Sequence, residues 1–279
     1  MRVALVQLCS GDDPGVNLPV TEAFIREAAA AGARLVLTPE VTNCVSSSRA
    51  RQRAMLVPEA EDPTLARLRA VAADLGITLV IGSLALKGEG PDGRFANRSF
   101  VIAPDGGIAA RYDKVHMFDV DLDGGESYRE SSGFRPGDRA VTVAAEGALL
   151  GLSICYDMRF AALYRVLAQA GAQILTVPAA FTVTTGRAHW HVLLRARAIE
   201  TGCFVLAAAQ CGHHATTEGA ERRTYGHSLV VDPWGRILAE GGEAPGVILA
   251  DLDLEEVARA RGRVPSLRHD RAFAPPDPA

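Results

Sequence analysis

Short, continuous apolar runs alternate with longer amphipathic segments along almost the whole chain of 279 residues. Continuous apolar runs are typical of strands covered on both faces, whereas strands with one solvated face alternate polar and apolar residues. The predicted strands are Val3–Gln7, Leu35–Thr38, Thr78–Ser83, Ser99–Ala103, Leu149–Ile154, Ile174–Val177, Phe204–Ala209, Ser228–Asp232 and Val247–Asp251. The alternation predicts an α/β fold with the sheet inside and helices outside.

Amphipathic segments between these runs predict the helices. The first covers Asn17–Ala31 and ends at Gly32, and the second begins at Asp62-Pro63 and ends at Gly76. Proline in the first turn and glycine just after the last turn are common helix start and stop signals. The remaining predicted helices are Arg159–Ala170, Ala188–Thr201 and Leu254–Arg261.

The chain is expected to form one domain. Neither an internal repeat nor a low-complexity linker divides it, so we predict a single domain over residues 1–262. Residues 263–279 form an extended tail that includes the proline-rich segment Ala274–Pro278. We expect this tail to pack across a partner subunit or to fray.

The composition argues against several classes of protein. Basic residues are scattered, and a net charge of −4 gives no reason to expect nucleic acid or an anionic membrane as a partner. The apolar run at the N-terminus stops after about seven residues, too short for a signal peptide. No segment reaches the roughly 18 apolar residues of a membrane span. We therefore expect a cytoplasmic protein.

The cysteines and histidines do not suggest a disulfide framework or a metal site. The cysteines are odd in number and irregularly spaced: Cys9, Cys44, Cys155, Cys203 and Cys211. No pair has the close spacing of a structural zinc site. His189 and His191 are two residues apart on a predicted helix, where they do not face each other, and His213-His214 lies in a polar loop. With no glycine-rich phosphate loop either, we expect no metal and no cofactor.

Cys155 stands at the most informative place in the chain. An apolar strand ends there, and a helix is expected just after it. Such a strand–turn–helix unit presents a side chain at the sheet edge, with free helix N–H groups directed at its target. A helix N-terminus also favours the thiolate over the thiol. A free cysteine is equally a common small core residue, so this segment alone leaves both interpretations open.

Two charged residues follow similar strand ends. Glu40 follows the run Leu35–Pro39, and Lys114 follows Ala109–Asp113. A charge at the end of a buried strand is costly unless it is paired, although an exposed loop would also accommodate each residue. Because a cysteine nucleophile needs a proton acceptor and an oxyanion stabiliser, the two charges are candidates for a catalytic site.

Together these segments resemble the nitrilase superfamily of carbon–nitrogen hydrolases. The three signature segments occur in the order found in that family. The matching segments are Pro39-Glu40, Tyr112–His116, Cys155–Phe160, Pro178–Phe181, Thr185–Trp190, Arg195–Glu200, Tyr225–Ser228 and Asp232–Gly235. The resemblance extends from Val3 to about Arg268, and it implies a four-layer α-β-β-α sandwich that assembles as a homodimer.

The resemblance also implies roles for the site residues. Cys155 would attack the substrate and form a thioester, with Glu40 as the general base. Lys114 would stabilise the oxyanion, assisted by the backbone N–H of Tyr156. Lys114 would also offset the repulsion between neighbouring carboxylates.

A second glutamate is expected between the lysine and the cysteine. Three glutamates lie there, but Glu146 comes too close to the Cys155 strand to belong to the family's loop. We choose Glu130, because Glu130-Ser131 before Pro136–Asp138 fits that loop best. Glu126 remains the alternative.

The resemblance is strongest to amidases that hydrolyse ω-amides of α-keto acids, through residues 188–201 and 207–212. It implies deaminated glutathione as the expected substrate, with 2-oxoglutaramate as the alternative. Such a substrate ends in a carboxylate beside a ketone, for which a guanidinium is a suitable receptor. Arg159 is expected to bind this carboxylate, assisted by Thr185 in the loop after Phe181. A structural salt bridge between Arg159 and Asp157 is the alternative for the arginine.

Other activities stay open at this point. A nitrilase uses the same three catalytic residues, and an N-carbamoyl amino acid hydrolase is also compatible with the motifs. A non-catalytic binding scaffold is disfavoured, since a scaffold that had lost catalysis should have lost at least one of the catalytic positions, and all are present.

Overall fold

The computed structural model describes residues 1–88, 90, 92–122 and 127–276. Its strands are β1 (Arg2–Gln7), β2 (Leu35–Leu37), β3 (Thr78–Leu86), β4 (Ala96–Ile102), β5 (Ile108–Asp113), β6 (Asp119–Asp121), β7 (Ser127–Arg129), β8 (Thr142–Ala145), β9 (Ala148–Leu152), β10 (Ile174–Thr176), β11 (Phe204–Ala207), β12 (Cys211–His214), β13 (Arg222–Tyr225), β14 (Leu229–Val231), β15 (Ile237–Glu240) and β16 (Gly246–Asp251). Its α-helices are α1 (Pro14–Ala30), α2 (Arg49–Met55), α3 (Pro63–Leu75), α4 (Ala161–Gln169), α5 (Val183–Thr201) and α6 (Glu255–Arg263). Every predicted strand is present, although several begin or end at different residues.

Two six-stranded sheets form the centre of the molecule, in the orders β16-β1-β2-β3-β4-β5 and β15-β14-β11-β10-β9-β8. In the first sheet β1, β2 and β3 are parallel, and in the second β9, β10 and β11 are parallel. Antiparallel strands flank each parallel centre. Two-stranded hairpins, β6–β7 and β12–β13, complete the described strands.

The side chains of β1 show how the layers are arranged. Val3 and Leu5 belong to the core shared with the second sheet, and Ala4 and Val6 belong to the core under the first pair of helices. Successive residues of a strand face opposite sides, so this strand is covered on both faces. Helices α1 and α3 pack on the first sheet, and α4 and α5 pack on the second. The expected α-β-β-α sandwich is confirmed.

Three helix starts differ from the prediction by two or more residues, and the first is α1, which begins at Pro14 rather than Asn17. The segment Cys155–Arg159 is a 3₁₀ turn, and α4 begins only at Ala161. Helix α5 begins five residues earlier than the sequence indicated, because the Thr182 side chain caps its first turn by accepting from the Thr185 N–H. Thr185 therefore lies in the first turn of a helix and not in a loop.

The described part of the tail packs along α4 of its own chain. Arg165 donates to the Ser266 carbonyl at 2.9 Å, and Gln169 donates to the Leu267 carbonyl at 3.2 Å. Phe273 further on is almost fully exposed, and residues 277–279 lie outside the described residues. Among the described helices, each is too short or too polar to cross a bilayer.

Candidate active site

Three chemically reactive side chains converge between the two sheets. Glu40 follows β2 and Lys114 follows β5 of the first sheet, and Cys155 comes just after β9 of the second. All three are buried. Lys114 Nζ donates to Glu40 Oε1 at 2.8 Å, and the Glu40 carboxylate is a hydrogen-bonding neighbour of the Cys155 thiol. Residues far apart in the sequence thus share one small site.

An irregularity in β3 holds the Glu40 segment in place. The pairing of β3 with β4 shifts between Ile81 and Leu84, which frees backbone groups of β3 for other partners. Ser83 N–H donates to the Pro39 carbonyl at 3.1 Å, and Val41 N–H donates to Ser83 Oγ at 2.8 Å. Val41 has φ +47°, an uncommon value for a β-branched residue, so these contacts impose a sharp turn just after Glu40.

The Glu40 carboxylate is surrounded by donors. Asn97 Nδ2 joins Lys114 on Oε1 at 2.9 Å, and the Ala180 N–H donates to Oε2 at 2.9 Å. Hydrogen bonds from such donors favour the ionised form of a carboxyl group. The sequence analysis missed Asn97, although a polar residue within a strand otherwise buried was an available signal.

Glu130 is the second carboxylate of the site. Lys114 Nζ donates to its Oε2 at 2.8 Å and to its Oε1 at 3.0 Å, and the Phe118 N–H donates to Oε2 at 2.7 Å. Lys114 is therefore held between two carboxylates on different segments. The alternative, Glu126, lies outside the described residues.

The backbone at Cys155 is strained. This residue has φ +48°, in the left-handed region that side chains other than glycine rarely adopt. Its N–H donates to the Pro178 carbonyl at 2.9 Å and so is not free to bind substrate. In the part of the chain that the structure describes, the next N–H, that of Tyr156, has no acceptor, which leaves it available for an oxyanion.

Asp157 fixes this turn and links it to the lysine segment. The fully buried carboxylate accepts from the Ile154 N–H at 2.8 Å, from the Tyr112 hydroxyl at 2.7 Å and from the His116 N–H at 3.0 Å. Tyr112 and His116 lie on either side of Lys114, so one aspartate sets the position of both the nucleophile and the ammonium. The sequence analysis gave Asp157 no such role.

The charges of the site shift its ionisation. Burial raises the pKa of Glu40, but the Lys114 ammonium outweighs burial and holds the pKa below its ordinary value. Burial lowers the pKa of Lys114, but Glu130 and then Glu40 outweigh it, so the net pKa is raised. Burial and then the Glu40 charge raise the pKa of Cys155 well above its ordinary value.

At neutral pH these directions give an ionised Glu40, a protonated Lys114 and a protonated Cys155 thiol. The general tendency of a helix N-terminus to favour a thiolate does not apply to Cys155, because no α-helix begins there and because burial beside a carboxylate disfavours a second negative charge. The arrangement is that of a thiol with a general base beside it.

A cavity of about 720 Å³ opens onto the three residues. Tyr156, Phe181 and Thr185 line it, together with Glu40, Lys114, Glu130 and Cys155. Its volume accommodates a small extended molecule rather than a polymer.

Arg159 lies behind the cavity wall, and the expectation that it reaches the cavity is not met. Among the described residues that line the cavity, Arg159 is absent. Its guanidinium lies 5.9 Å from the Tyr156 ring centroid and 5.6 Å from that of Phe181, and its Nη2 is 3.2 Å from His189 Nδ1. It forms no salt bridge with Asp157, whose oxygens bind other donors.

A separate cluster joins His191, His227 and Glu240 outside the cavity. Each imidazole lies 2.9 Å from Glu240 Oε1. Histidine and carboxylate ligands at such distances could hold a metal ion, but shared hydrogen bonds to one carboxylate already account for the arrangement. The sequence analysis had paired His191 only with His189, since it cannot relate a helix to a distant loop and strand.

Comparison with known proteins identifies relatives over the whole chain. Residues 2–262 match the model of the family described as Carbon-nitrogen hydrolase. The chain is 39% identical over 272 residues to the deaminated glutathione amidase of Yersinia enterocolitica, covering 97% of this chain and 93% of that protein. It is 37% identical over 271 residues to the omega-amidase NIT2 of Homo sapiens, covering 97% and 95%.

A solved structure of an amidase from Nesterenkonia sp. AN1, of the nitrilase superfamily, is also similar. It superposes with a TM-score of 0.77 at 31% identity and covers 95% of this chain and 98% of that chain. In that structure, which is of a mutant, acrylamide has added to the active-site cysteine.

Proposed function

The chain belongs to the carbon–nitrogen hydrolase family, and on that basis we propose that it is an amidase that hydrolyses ω-amides of α-keto acids, with deaminated glutathione as the preferred substrate. One observation carries the chemistry: an ionised carboxylate, an ammonium and a protonated thiol share one buried site at the end of a cavity. Amide hydrolysis needs a nucleophile, a proton acceptor and a cation for the developing oxyanion, and these three groups match those needs.

In the first half of the proposed reaction, Glu40 takes the thiol proton as the Cys155 sulfur attacks the amide carbon. The carbonyl electron pair moves onto oxygen, where Lys114 and the Tyr156 N–H stabilise the charge. When the oxyanion collapses, the carbon–nitrogen bond breaks and Glu40 returns the proton to the departing nitrogen. A thioester on Cys155 and a free amine or ammonia result.

In the second half, Glu40 takes a proton from water, and the hydroxide attacks the thioester. The sulfur leaves and takes the proton back, which releases the carboxylic acid and restores the thiol. Glu130 binds Lys114 through two contacts and so keeps the ammonium protonated and correctly placed in both halves. A correctly placed oxyanion donor contributes about 3–4 kcal/mol to lowering the barrier.

We propose that the keto-acid end of the substrate binds against the part of the cavity wall formed by Phe181 and Tyr156. Thr185 supplies a hydroxyl there, and Phe181 and Tyr156 supply apolar surface. Arg159 lies directly behind both rings, so its positive charge attracts a carboxylate bound against them. This assignment retains Arg159 as a substrate-recognition residue that acts from behind the rings.

We also propose that the protein is a cytoplasmic homodimer. All five cysteines are unpaired, as expected for a reducing compartment that preserves a nucleophilic thiol. Exposed apolar side chains lie on α4, α5 and the tail: Val166, Val192, Ile199, Val264 and Phe273. Apolar surface on one outer layer is typical of an interface between subunits.

The decisive assay compares deaminated glutathione, 2-oxoglutaramate, simple aliphatic amides, nitriles and N-carbamoyl amino acids with the wild-type protein. We expect the highest kcat/KM for deaminated glutathione and measurable turnover of 2-oxoglutaramate, the substrate suggested by the omega-amidase relative. Preference for a nitrile, or carbon dioxide release from a carbamoyl compound, would contradict the proposal.

The Cys155→Ala variant tests the mechanism. We expect turnover to be abolished and the circular dichroism spectrum and melting temperature to stay close to the wild-type values, since only one small buried side chain is shortened. Substantial residual activity would rule out a thioester on this residue.

A further inference from the structure

Arg222 is a cation of the cavity wall whose charge acts on the Glu40 carboxylate but which forms no direct ion pair among the described residues. It is the first residue of β13, it lines the cavity, and it donates to the Ala180 carbonyl at 2.9 Å. Among the described residues, no carboxylate forms an ion pair with it, and its buried Nε–H has no acceptor. Glu40 interacts with Arg222 only through charge, so the partly buried guanidinium keeps an unpaired Nε–H, and an anion bound beside it would offset that cost.

Arg49, the first residue of α2, is a second such cation. It lines the same cavity, its guanidinium lies 5.3 Å from the Phe134 ring centroid, and it donates to Gln52 Oε1 at 2.7 Å. Within the described part of the chain it too forms no ion pair. Burial lowers the pKa of Arg49, and the opposing Glu130 charge does not restore it.

The residues that line the cavity carry a net positive charge, whereas the whole chain carries a net negative charge. The charged residues that line it are Lys114, Arg49, Arg129, Arg222 and Arg223, against Glu40, Glu130 and Glu221. Five cations and three carboxylates line it, and Asp121 outside the lining pairs with Arg129, so an excess of one positive charge remains in a protein whose net charge is −4. Such a cavity concentrates anionic ligands.

The chemistry fixes which end of a substrate lies near Arg222. Glu40 delivers the proton to the departing nitrogen, so that nitrogen must lie beside the Glu40 carboxylate. The Ala180 N–H donates to Glu40 Oε2, and the Ala180 carbonyl accepts from Arg222. One residue of backbone and two hydrogen bonds of 2.9 Å thus lead from the proton donor to the guanidinium.

We propose that Arg222, with Arg49 as a second cation of the same cavity, binds a carboxylate on the amine side of the scissile amide. This inference rests on the proposed amidase function and adds to it the recognition of the leaving group. Two extended residues span about 7 Å. A leaving group of dipeptide size with a terminal carboxylate, such as the cysteinyl-glycine part of deaminated glutathione, is therefore comparable in length with this path of one residue and two hydrogen bonds.

The subsite makes this chain selective for N-substituted amides over primary amides. A keto-acid amide that releases ammonia places nothing next to Arg222 and gains nothing from it. An amide that releases a carboxylate-terminated amine gains a charge-assisted hydrogen bond there. The selectivity therefore resides in the leaving group and is independent of the keto-acid end.

A matched pair of substrates tests the proposal without any mutation. Deaminated glutathione and its glycinamide analogue differ only in whether the far end carries a carboxylate or a neutral carboxamide. For the wild-type enzyme we expect kcat/KM to be about 10- to 100-fold higher for the free carboxylate, the range of one charge-assisted hydrogen bond. Equal values for the two compounds would overturn the proposal.

The Arg222→Gln variant assigns the effect to this residue. We expect it to remove most of the preference for the free carboxylate and to change kcat/KM for the glycinamide analogue and 2-oxoglutaramate less than about threefold. Arg222→Lys, which keeps the charge, should retain part of the preference. Arg223, the next residue of β13, also lines the cavity but is exposed, so Arg223→Gln controls for the loss of one cavity charge as such and should keep most of the preference.

The outcomes distinguish a failure of the proposed amidase function from a failure of the leaving-group subsite. If the wild-type enzyme hydrolyses none of the three keto-acid amides, the proposed function itself fails. If it hydrolyses them and Arg222→Gln lowers kcat/KM equally for all three, the function stands and the leaving-group subsite is wrong. Loss of the preference in Arg223→Gln to the same extent would likewise contradict the assignment to Arg222.

Discussion

At the scale of single residues, the charges of Glu40, Glu130 and Lys114 do not cancel, and this imbalance disfavours ionisation of the Cys155 thiol before substrate binds. Glu40 and Glu130 together outweigh Lys114, so these three groups beside the thiol already carry one net negative charge before it ionises, although the cavity lining as a whole is positive. A thiolate formed in advance would add a second excess charge in a buried place. Proton removal must therefore accompany attack on the substrate, and Glu40 becomes indispensable to the reaction rather than merely helpful.

The Glu40→Gln variant tests this dependence. We expect kcat/KM to fall by about 10²- to 10⁴-fold, the usual contribution of a general base. The pKa of Cys155 should fall at the same time, because the Glu40 charge is the second cause, after burial, of its elevation. The pH dependence of alkylation by iodoacetamide measures that pKa and should shift to lower pH.

The exposed Glu27→Gln variant is the control for removing a carboxylate, and it should behave as wild type in both measurements. Turnover by Glu40→Gln within tenfold of wild type would show that another group takes the proton. An alkylation profile that does not move would show that Glu40 does not set the thiol pKa.

The sequence could identify the three candidate residues that the structure brings together, but not the residues that hold them. Cys155 and Glu40 each follow an apolar run and Lys114 follows the segment Ala109–Asp113, and these local signals, joined to motif order, were enough to choose them. Asp157 and Asn97 act through contacts with residues 41 to 57 positions away in the chain, and no local pattern reports such contacts. The protonation of Cys155 likewise depends on a carboxylate from the other sheet, which no local pattern reports.

At the scale of elements, the irregular part of β3 connects the two halves of the site. Between Ile81 and Leu84 the strand leaves its regular pairing and binds the backbone around Pro39. Gly82 lies at this point. Its α-carbon faces the backbone of Thr38 and Pro39, just before Glu40, and the side chain of Pro178, whose carbonyl accepts from the Cys155 N–H. A side chain there has no room: a Cβ atom would lie 1.9 Å from the Thr38 carbonyl oxygen and 2.4 Å from Pro178 Cβ.

Gly82→Ala should therefore separate the base from the nucleophile. We expect a stability loss of about 1–3 kcal/mol from overpacking. We also expect kcat/KM to fall up to about 100-fold, because Pro178 accepts from the Cys155 N–H and a shift of about 1 Å misaligns the reacting groups. Urea unfolding and steady-state kinetics measure the two effects.

Gly246→Ala, in β16 of the same sheet, is the matched control, since a Cβ atom there meets nothing within 4 Å. It should change neither stability nor kcat/KM appreciably. A Gly82→Ala enzyme with wild-type kinetics would show that β3 does not set the distance between Glu40 and Cys155.

Most strands found from the sequence are buried, and β16, a half-exposed strand at the edge of its sheet, is an exception. Long apolar runs marked all the central strands of both sheets. The strands that were missed, such as those of the β6–β7 and β12–β13 hairpins, are short and carry charged residues. Their strand conformation comes from pairing with each other and from covering the cavity, which is a property of the assembled fold and not of their own composition.

At the scale of the whole molecule, the two sheets have the same plan, a parallel centre with antiparallel flanks. The proposed catalytic residues come from both sheets, so the contact between the two sheets forms both the interior of the sandwich and the proposed active site. The outer helical layers are not equivalent. The layer formed by α4 and α5, with the tail beside it, exposes more large apolar side chains than the layer of α1 and α3.

Because of this asymmetry, we predict that the homodimer forms through the layer of α4 and α5. Val192, in the middle of α5, has 67% of its surface exposed. Burying such side chains against a second copy removes apolar surface from water, at about 25 cal/mol per Å². A charge at this position would have to be buried without a partner, so Val192→Asp should dissociate the dimer while each subunit keeps its fold.

Light scattering after size-exclusion chromatography measures the change. We expect the wild-type protein at twice the chain mass of 29.5 kDa and Val192→Asp at the single-chain mass. Val20→Asp is the matched control, because Val20 is 49% exposed on α1, in the opposite layer, and its replacement should leave the dimer intact. A wild-type monomer would contradict the assembly itself. Dissociation caused by Val20→Asp but not by Val192→Asp would place the interface on the other side of the sandwich.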